Sequence, residues 1–491
     1  MSDLNQAVTT ATRWSLINTM VLRIGSFAAG VILARFFLSP REFGLYAVGL
    51  VVVNVMLSLN ELGVSLALVR WNLELPRFAP TVLTLSTVSS SALYVVLFAA
   101  APSVAAMLGS PDATTLLRVL CLTVVIDGIA CVPIARLTRE FKQMRRMIVD
   151  LANFAVTNGV TIALAATGSG AMSFAWGALA GNVVALIGFA IASPGMLRFG
   201  WDPAMARKLV RFGVPLAGAS LLTLGILNVD SAVVGAVLGP VALGFYQLAL
   251  NMSNWPVRVV SETARRVTFA GFSRLADSPA ELAAGFYRAL SIIMAAAMPI
   301  CTVLAWLAEP VIVLVYGPKW APAATALRFL VILGVLRVAY ELAYDCLATS
   351  RRRALMAVQG WWLLTLVPTL LVMAHMAGIA GVAAGHVLVP LLLVLPAFLI
   401  ALAPLGIRPG GILLACWRPL VGAGLMSAVL WTTLELAGRG LGAAVLAGFL
   451  SVLVYGPVVL PVLRGIRRPA ALPDPAAKTP TPAELSGEPL Q

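Results

Sequence analysis

The chain has 491 residues, of which 60% are hydrophobic and only 11% charged, with a net charge of +14. Soluble proteins carry about a quarter charged residues, so a water-soluble fold is excluded and an all-α polytopic membrane protein is implied. Apolar runs of roughly 20 residues recur along the whole length, the length a helix needs to cross about 30 Å of hydrocarbon.

In chain order the first span is predicted near 11–37. It is too long for a signal-peptide core and lacks a small-residue cleavage pattern, so it is expected to remain as a span. Arg13 lies near its start, where snorkelling to headgroups accounts for it. Arg23 lies about ten residues into the span, close to the midplane, with no carboxylate one turn away. A charge at that depth costs roughly 2.5–3.5 kcal/mol on insertion scales, so it faces a cavity or a partner. Arg23 therefore reads as a cavity cation that meets an anionic substrate, or as an ion-pair partner of Glu61 or Asp127.

The segment Leu38-Ser-Pro-Arg-Glu-Phe-Gly-Leu-Tyr46 joins this run to a second, near 43–69, which contains Glu61. Further spans are predicted near 79–106, 115–136 (with Asp127 at its middle), 147–167 and 171–193. A seventh, near 209–236, contains Asp230 and leads through Leu238-Gly-Pro-Val-Ala-Leu-Gly-Phe-Tyr246 to an eighth near 241–263, with Arg258 and Glu262. Asp127, Asp230 and Glu61 are candidates for ion coupling or for pairing with Arg23 or Arg337, pairing being the preferred reading for the two aspartates.

A loop and helix start are read over Ser273 to Phe286, followed by spans near 285–315 and 325–349. The latter carries Arg337, Glu341 and Asp345 at i, i+4 and i+8, on one helix face, with Tyr340 and Tyr344 beside them. This is an internally compensated ladder, or the polar wall of a transport cavity whose tyrosines offer rings and hydroxyls to sugar. Spans near 354–376, 379–403, 411–436 and 441–463 complete a set of fourteen. Trp361 and Trp362 read as interfacial anchors, while His375 and His386 form no pattern and are assigned to packing or solvation.

Prolines 133, 215, 299, 368, 390 and 396 fall inside spans, where membranes tolerate breaks that neighbours or cavity water satisfy. The five cysteines form no CxxC pair, so no disulfide framework or metal site is suggested, and they read as small buried hydrophobes. No ATPase, zinc-hydrolase or nucleophile-elbow motif appears in a credible context, so neither enzymatic activity nor a cofactor is expected.

The connections alternate in Lys and Arg. One side holds Arg136, Arg139, Lys142, Arg145 and Arg146, then Arg198, Arg207, Lys208 and Arg211, then Arg265, Arg266, Arg274 and Arg351 to Arg353; the other holds little beyond Arg41, Lys319 and Arg439. The positive-inside rule makes the rich side cytoplasmic, with both termini there. The excess charge thus records topology and contact with anionic membrane lipids, and nucleic acid is not a required partner.

Pro40, Gly44 and Tyr46 return 200 positions later as Pro240, Gly244 and Tyr246. This repeat divides the chain into an N-lobe of six spans (1–200), a C-lobe of six (201–404), two further spans (405–466) and a Pro/Ala-rich tail (467–491) read as a disordered cytoplasmic segment. Six is even, so the lobes are expected to be parallel repeats about an axis along the membrane normal. A transporter with its site between the lobes follows.

Leu33-Ala-Arg35 with Leu38 to Tyr46, and Glu61-Leu-Gly-Val-Ser-Leu-Ala-Leu-Val-Arg70, resemble the opening of the Wzx-type polysaccharide flippases. Asn228-Val-Asp230, Gly235, Leu238-Gly239 and Gly244-Phe-Tyr246 resemble the matching segment of that family's second lobe. The resemblance implies alternating access in the multidrug/oligosaccharidyl-lipid/polysaccharide exporter superfamily. It also implies transfer of an undecaprenyl-pyrophosphate-linked oligosaccharide across the bacterial cytoplasmic membrane, for O-antigen, capsule or exopolysaccharide, possible partners being polymerase and assembly proteins. Arg23 and Arg337 match the cationic cavity of that family by character and depth. The alternatives are a cation-coupled drug exporter of the same superfamily, a lipid II flippase, or a membrane scaffold for glycan assembly.

Overall fold

The computed structural model describes residues 2–61, 75–275, 279–438 and 440–464. The tail 467–491, Arg70 and the 276–278 part of the predicted loop lie outside the described residues, as do the side chains of Arg13, Glu61, Arg258 and Glu262.

Every regular element among the described residues is helical. The first lobe holds α1 (Ser2–Ile32), α2 (Pro40–Glu61), α3 (Leu75–Met107), α4 (Thr114–Leu120), α5 (Leu122–Arg139), α6 (Gln143–Ala166) and α7 (Met172–Ala192). The second holds α8 (Pro203–Leu275), α9 (Pro279–Trp306), α10 (Ala308–Tyr316), α11 (Ala323–Ser350), α12 (Arg352–Val389) and α13 (Leu395–Leu402). Then come α14 (Pro409–Ala437) and α15 (Leu441–Arg464), which pack on each other and on α9. Twelve stretches are long and apolar enough to cross a membrane. Two of these contain a chain reversal, at Gly239 in α8 and at Ala377–Gly378 in α12, so the described residues hold fourteen apolar helical arms.

The repeated Pro-Gly-Tyr segments build two unlike turns. In the first, α1 ends in a π-helical turn, Leu33–Phe37, closed by the Leu38 N–H on Leu33 O at 2.8 Å. Ser39 and Glu42 then form a capping box: Glu42 Oε2 accepts from the Ser39 N–H at 2.6 Å and from Ser39 Oγ at 2.8 Å. Pro40, at the first helical position, has no N–H to leave orphaned. In the second segment Gly239 takes the place of Ser39 with φ 80°, a left-handed value that glycine adopts without steric cost.

These two turns meet. A Cβ on Gly44 would lie 1.7 Å from Pro240 O, and a Cβ on Gly244 1.8 Å from Pro40 O. Gly44 and Gly244 are where α2 and the second arm of α8 touch backbone to backbone. The same end of the molecule is closed by three further cross-lobe contacts. Trp320 Nε1 donates to Ala34 O at 2.9 Å, Lys319 Nζ to Leu38 O at 3.0 Å, and Arg35 to the carbonyls of Leu314 and Val315. Trp320 is fully buried, edge-on to Phe43 at 5.2 Å and to Phe245 at 6.0 Å. Burial of Lys319 lowers its pKa, a shift that the nearby Glu42 opposes. The lobes are thus sealed at one end by a dense polar and aromatic seam, with cavities farther along the helices.

Candidate functional site

The first cavity lies between the lobes, with a volume of about 370 Å³. From α1 it takes Arg23, Ser26 and Gly30, from α2 Phe43, and from the second arm of α8 Asn251 and Asn254. Arg23 is the only charged side chain in this wall among the described residues. The amides and hydroxyl around it offer further hydrogen-bonding groups to whatever the cavity holds.

The second cavity, about 350 Å³, lies within the C-lobe. Arg337, Tyr340, Glu341, Tyr344 and Asp345 all line it, joined by Gln359 and Trp362 from the first arm of α12 and His386 from the second. Helical spacing brings the first five together on one side of α11. Trp362 is not the interfacial anchor expected of it: it is buried and edge-on to the Tyr340 ring at 5.4 Å. Trp361, by contrast, is exposed. The Tyr340 hydroxyl, expected to face sugar, donates to Pro390 O at 2.6 Å, and its ring stacks on Phe398 at 5.3 Å. It braces the wall.

Asp230 pairs with neither Arg23 nor Arg337. His386 Nδ1 lies 3.3 Å from its Oδ2, Tyr246 Oη donates to Oδ2 at 2.9 Å, and the Ser231 N–H donates to Oδ1 at 2.7 Å. Asp230, Tyr246 and His386 are all buried. His386, which sequence reasoning assigned to packing or solvation, thus lies beside a buried carboxylate. No local signal marks it, because its partner is 156 positions away. His375 is exposed and bonds only Leu371 O, at 2.8 Å.

The two cavities touch. Arg337 Nη1, in the second, donates to Asn254 Oδ1, in the first, at 2.7 Å. Asp127 is partly buried on α5 and lines neither wall. A membrane carboxylate that the sequence reading passed over, Asp150, ties α6 to α1 by accepting from Asn18 Nδ2 at 2.9 Å, with Arg146 at 3.7 Å. Among the described residues no cluster of His, Cys, Asp and Glu is arranged to hold a metal, and the five cysteines are free.

A model of the polysaccharide biosynthesis protein family matches residues 32–325, both Pro-Gly-Tyr segments included. The chain belongs to that family. It is similar to the lipopolysaccharide biosynthesis protein WzxC of Escherichia coli K12, 24% identical over 85% of each chain. It also resembles the succinoglycan biosynthesis transport protein ExoT of Rhizobium meliloti, 25% identical over 66% of each chain. The teichuronic acid biosynthesis protein TuaB of Bacillus subtilis is 23% identical over 69% of this chain and 70% of its own.

Among solved structures, the lipid II flippase MurJ in an inward closed conformation superposes with a TM-score of 0.75 at 15% identity, covering 93% of this chain and all of that one. An inward-facing multidrug resistance MATE transporter of the MOP superfamily gives 0.64 at 16% identity, over 81% of this chain and 98% of its own. The fold is therefore the all-α fold that these structures share, and the protein is a multi-pass membrane protein.

Proposed function

We propose that the protein flips an undecaprenyl-pyrophosphate-linked oligosaccharide from the cytoplasmic to the outer leaflet of the bacterial cytoplasmic membrane, supplying a surface polysaccharide. The observation that carries this reading is the cavity between the lobes, into whose wall Arg23 brings a charged side chain. A pyrophosphate crossing a low-dielectric interior requires a positive partner, and the guanidinium offers a planar donor fork matched to phosphate oxygens. The undecaprenyl tail stays in the bilayer while the headgroup moves between the lobes. Membership of a polysaccharide biosynthesis family, with relatives named for lipopolysaccharide, succinoglycan and teichuronic acid, supports a glycan cargo.

The seam at Pro40, Pro240 and Trp320 falls on the side poor in Lys and Arg, which the positive-inside rule makes external. In this reading both termini are cytoplasmic and the conformation is shut toward the outside. Opening requires the seam contacts to part, and the headgroup in the Arg23 cavity is the ligand that favours parting. Polymerase and assembly proteins are the partners that would receive the product.

The test is deletion of the gene, followed by analysis of membrane lipids. Build-up of an undecaprenyl-linked repeat unit, with loss of surface polysaccharide, is the expected result. Unchanged lipids with altered drug tolerance would replace this reading by that of a drug exporter.

A further inference from the structure

The C-lobe cavity differs in chemistry from the one beside it. Its wall joins the apolar side chains of Ile226, Leu333 and Phe398 to the polar ones of Arg337, Glu341 and Gln359. Its volume of about 350 Å³ falls within the usual range of small-molecule sites, about 300–1,000 Å³. A guanidinium or an indole only donates hydrogen bonds, an ionised carboxylate only accepts them, and an amide or a phenol does both. A phosphate uses donors alone, a bare cation acceptors alone, and a lipid tail neither. The ligand that uses the whole set is a sugar ring, whose hydroxyls donate and accept and whose C–H faces are apolar.

One donor in this wall is unspent. Trp361 and Trp362 are neighbours on the first arm of α12, and the Trp361 indole N–H donates to Leu393 O at 3.3 Å. Trp362, 9% exposed, is buried, and its Nε1 has no hydrogen-bond partner among the described residues. A buried indole N–H usually finds an acceptor, and leaving it without one is unfavourable. A phenylalanine would keep the edge-on contact with Tyr340 at 5.4 Å without that penalty. What the tryptophan adds is a donor on a cavity wall, for an acceptor that the protein does not itself provide.

We propose that the C-lobe cavity is a sugar subsite: it takes the sugar next to the pyrophosphate held at Arg23, and Trp362 and Gln359 read that sugar's oxygens. The two cavities are neighbours, joined where Arg337 Nη1 meets Asn254 Oδ1 at 2.7 Å, so a headgroup in the first directs its next unit to the second. Their walls divide the cargo by charge. The pyrophosphate stays beside Arg23, because in the C-lobe cavity two carboxyl groups, Glu341 and Asp345, face one guanidinium. The same carboxyl groups serve an uncharged sugar as acceptors for its hydroxyls. The subsite rests on the flippase reading, since a cargo without a glycan has nothing to place there.

The experiment measures the binding of two lipids to the full-length protein in detergent: undecaprenyl pyrophosphate, and the lipid-linked oligosaccharide extracted from the host bacterium's own membranes. The parent should bind the second about tenfold more tightly. Trp362→Phe should remove that preference, weakening the glycosylated lipid about tenfold and leaving undecaprenyl pyrophosphate unchanged. The variant should melt no lower than the parent, because the N–H it loses has no partner. Gln359→Ala should reduce the same preference and supplies the readout where Trp362→Phe does not accumulate. Equal binding of the two lipids by the parent, a preference that survives the substitutions, or a Trp362→Phe that weakens both lipids alike overturns the subsite and leaves the flippase reading standing. Binding of neither lipid by the parent overturns the flippase reading and the subsite with it.

Discussion

Gly44 and Gly244 lie against each other's prolines, each so close to a carbonyl oxygen (1.7 Å to Pro240 O and 1.8 Å to Pro40 O from an added Cβ) that no side chain fits. The contact is reciprocal: each turn presents its proline carbonyl and receives the other's on a glycine. It is what a twofold axis through two copies of one segment produces. The repeat seen in the sequence is therefore an interface as well as a sign of duplication.

Gly44→Ala and Gly244→Ala should each force the lobes apart at the seam, because the blocking atom is backbone and cannot rotate away. Each should cost about 1–3 kcal/mol, the usual penalty of overpacking, and the two should be nearly equal. Thermal unfolding of purified protein in detergent measures this; a destabilised Gly44→Ala beside an unaffected Gly244→Ala would contradict the reciprocal contact.

Trp320→Phe keeps an aromatic ring against Phe43 and Phe245 but removes the donor to Ala34 O. Losing one partner of a buried hydrogen bond costs about 1–3 kcal/mol. Hydrogen exchange should quicken at both ends of the seam, around residues 33–40 and 314–320. Protection equal to the parent's would show that the indole N–H is dispensable.

Arg23→Ala should abolish surface polysaccharide while the protein still inserts at normal levels, and Arg23→Lys should restore it in part, keeping charge without the fork. A charge-assisted bond is worth about 1.5–3 kcal/mol, which is roughly a ten- to hundredfold weakening of undecaprenyl pyrophosphate binding. Normal polysaccharide at normal expression would remove Arg23 from the headgroup site.

Tyr340→Phe separates a structural hydroxyl from a sugar-binding one. Because the hydroxyl is spent on Pro390 O, the change should lower stability by about 1 kcal/mol with polysaccharide yield unchanged. A loss of export with unaltered melting would return Tyr340 to the substrate.

Much of this was legible in the sequence because it was local or periodic. Span lengths follow from composition, the repeat from two short segments, and the α11 cluster from i, i+4 spacing, which places Arg337, Glu341 and Asp345 together whatever the rest of the chain does. The missed features depend on packing between distant elements. Nothing near His386 announces Asp230. Trp362 looks like its neighbour Trp361 until the helix face decides that one is buried and the other exposed. Two chain reversals, at Gly239 and Gly378, set those faces.

The hairpin turned by Gly239 places Asp230 and Tyr246 eight residues to either side of Leu238, at one level. At the corresponding places in the first half stand Gly30 and Tyr46. The tyrosine survives in both halves; the carboxylate exists in one. Gly30 instead borders the space beside Arg23, where a negative group would weaken the hold on a phosphate. The two halves thus share a segment but differ at this place: one leaves the position bare beside an arginine, while the other sets an acid there and, across from it, a histidine.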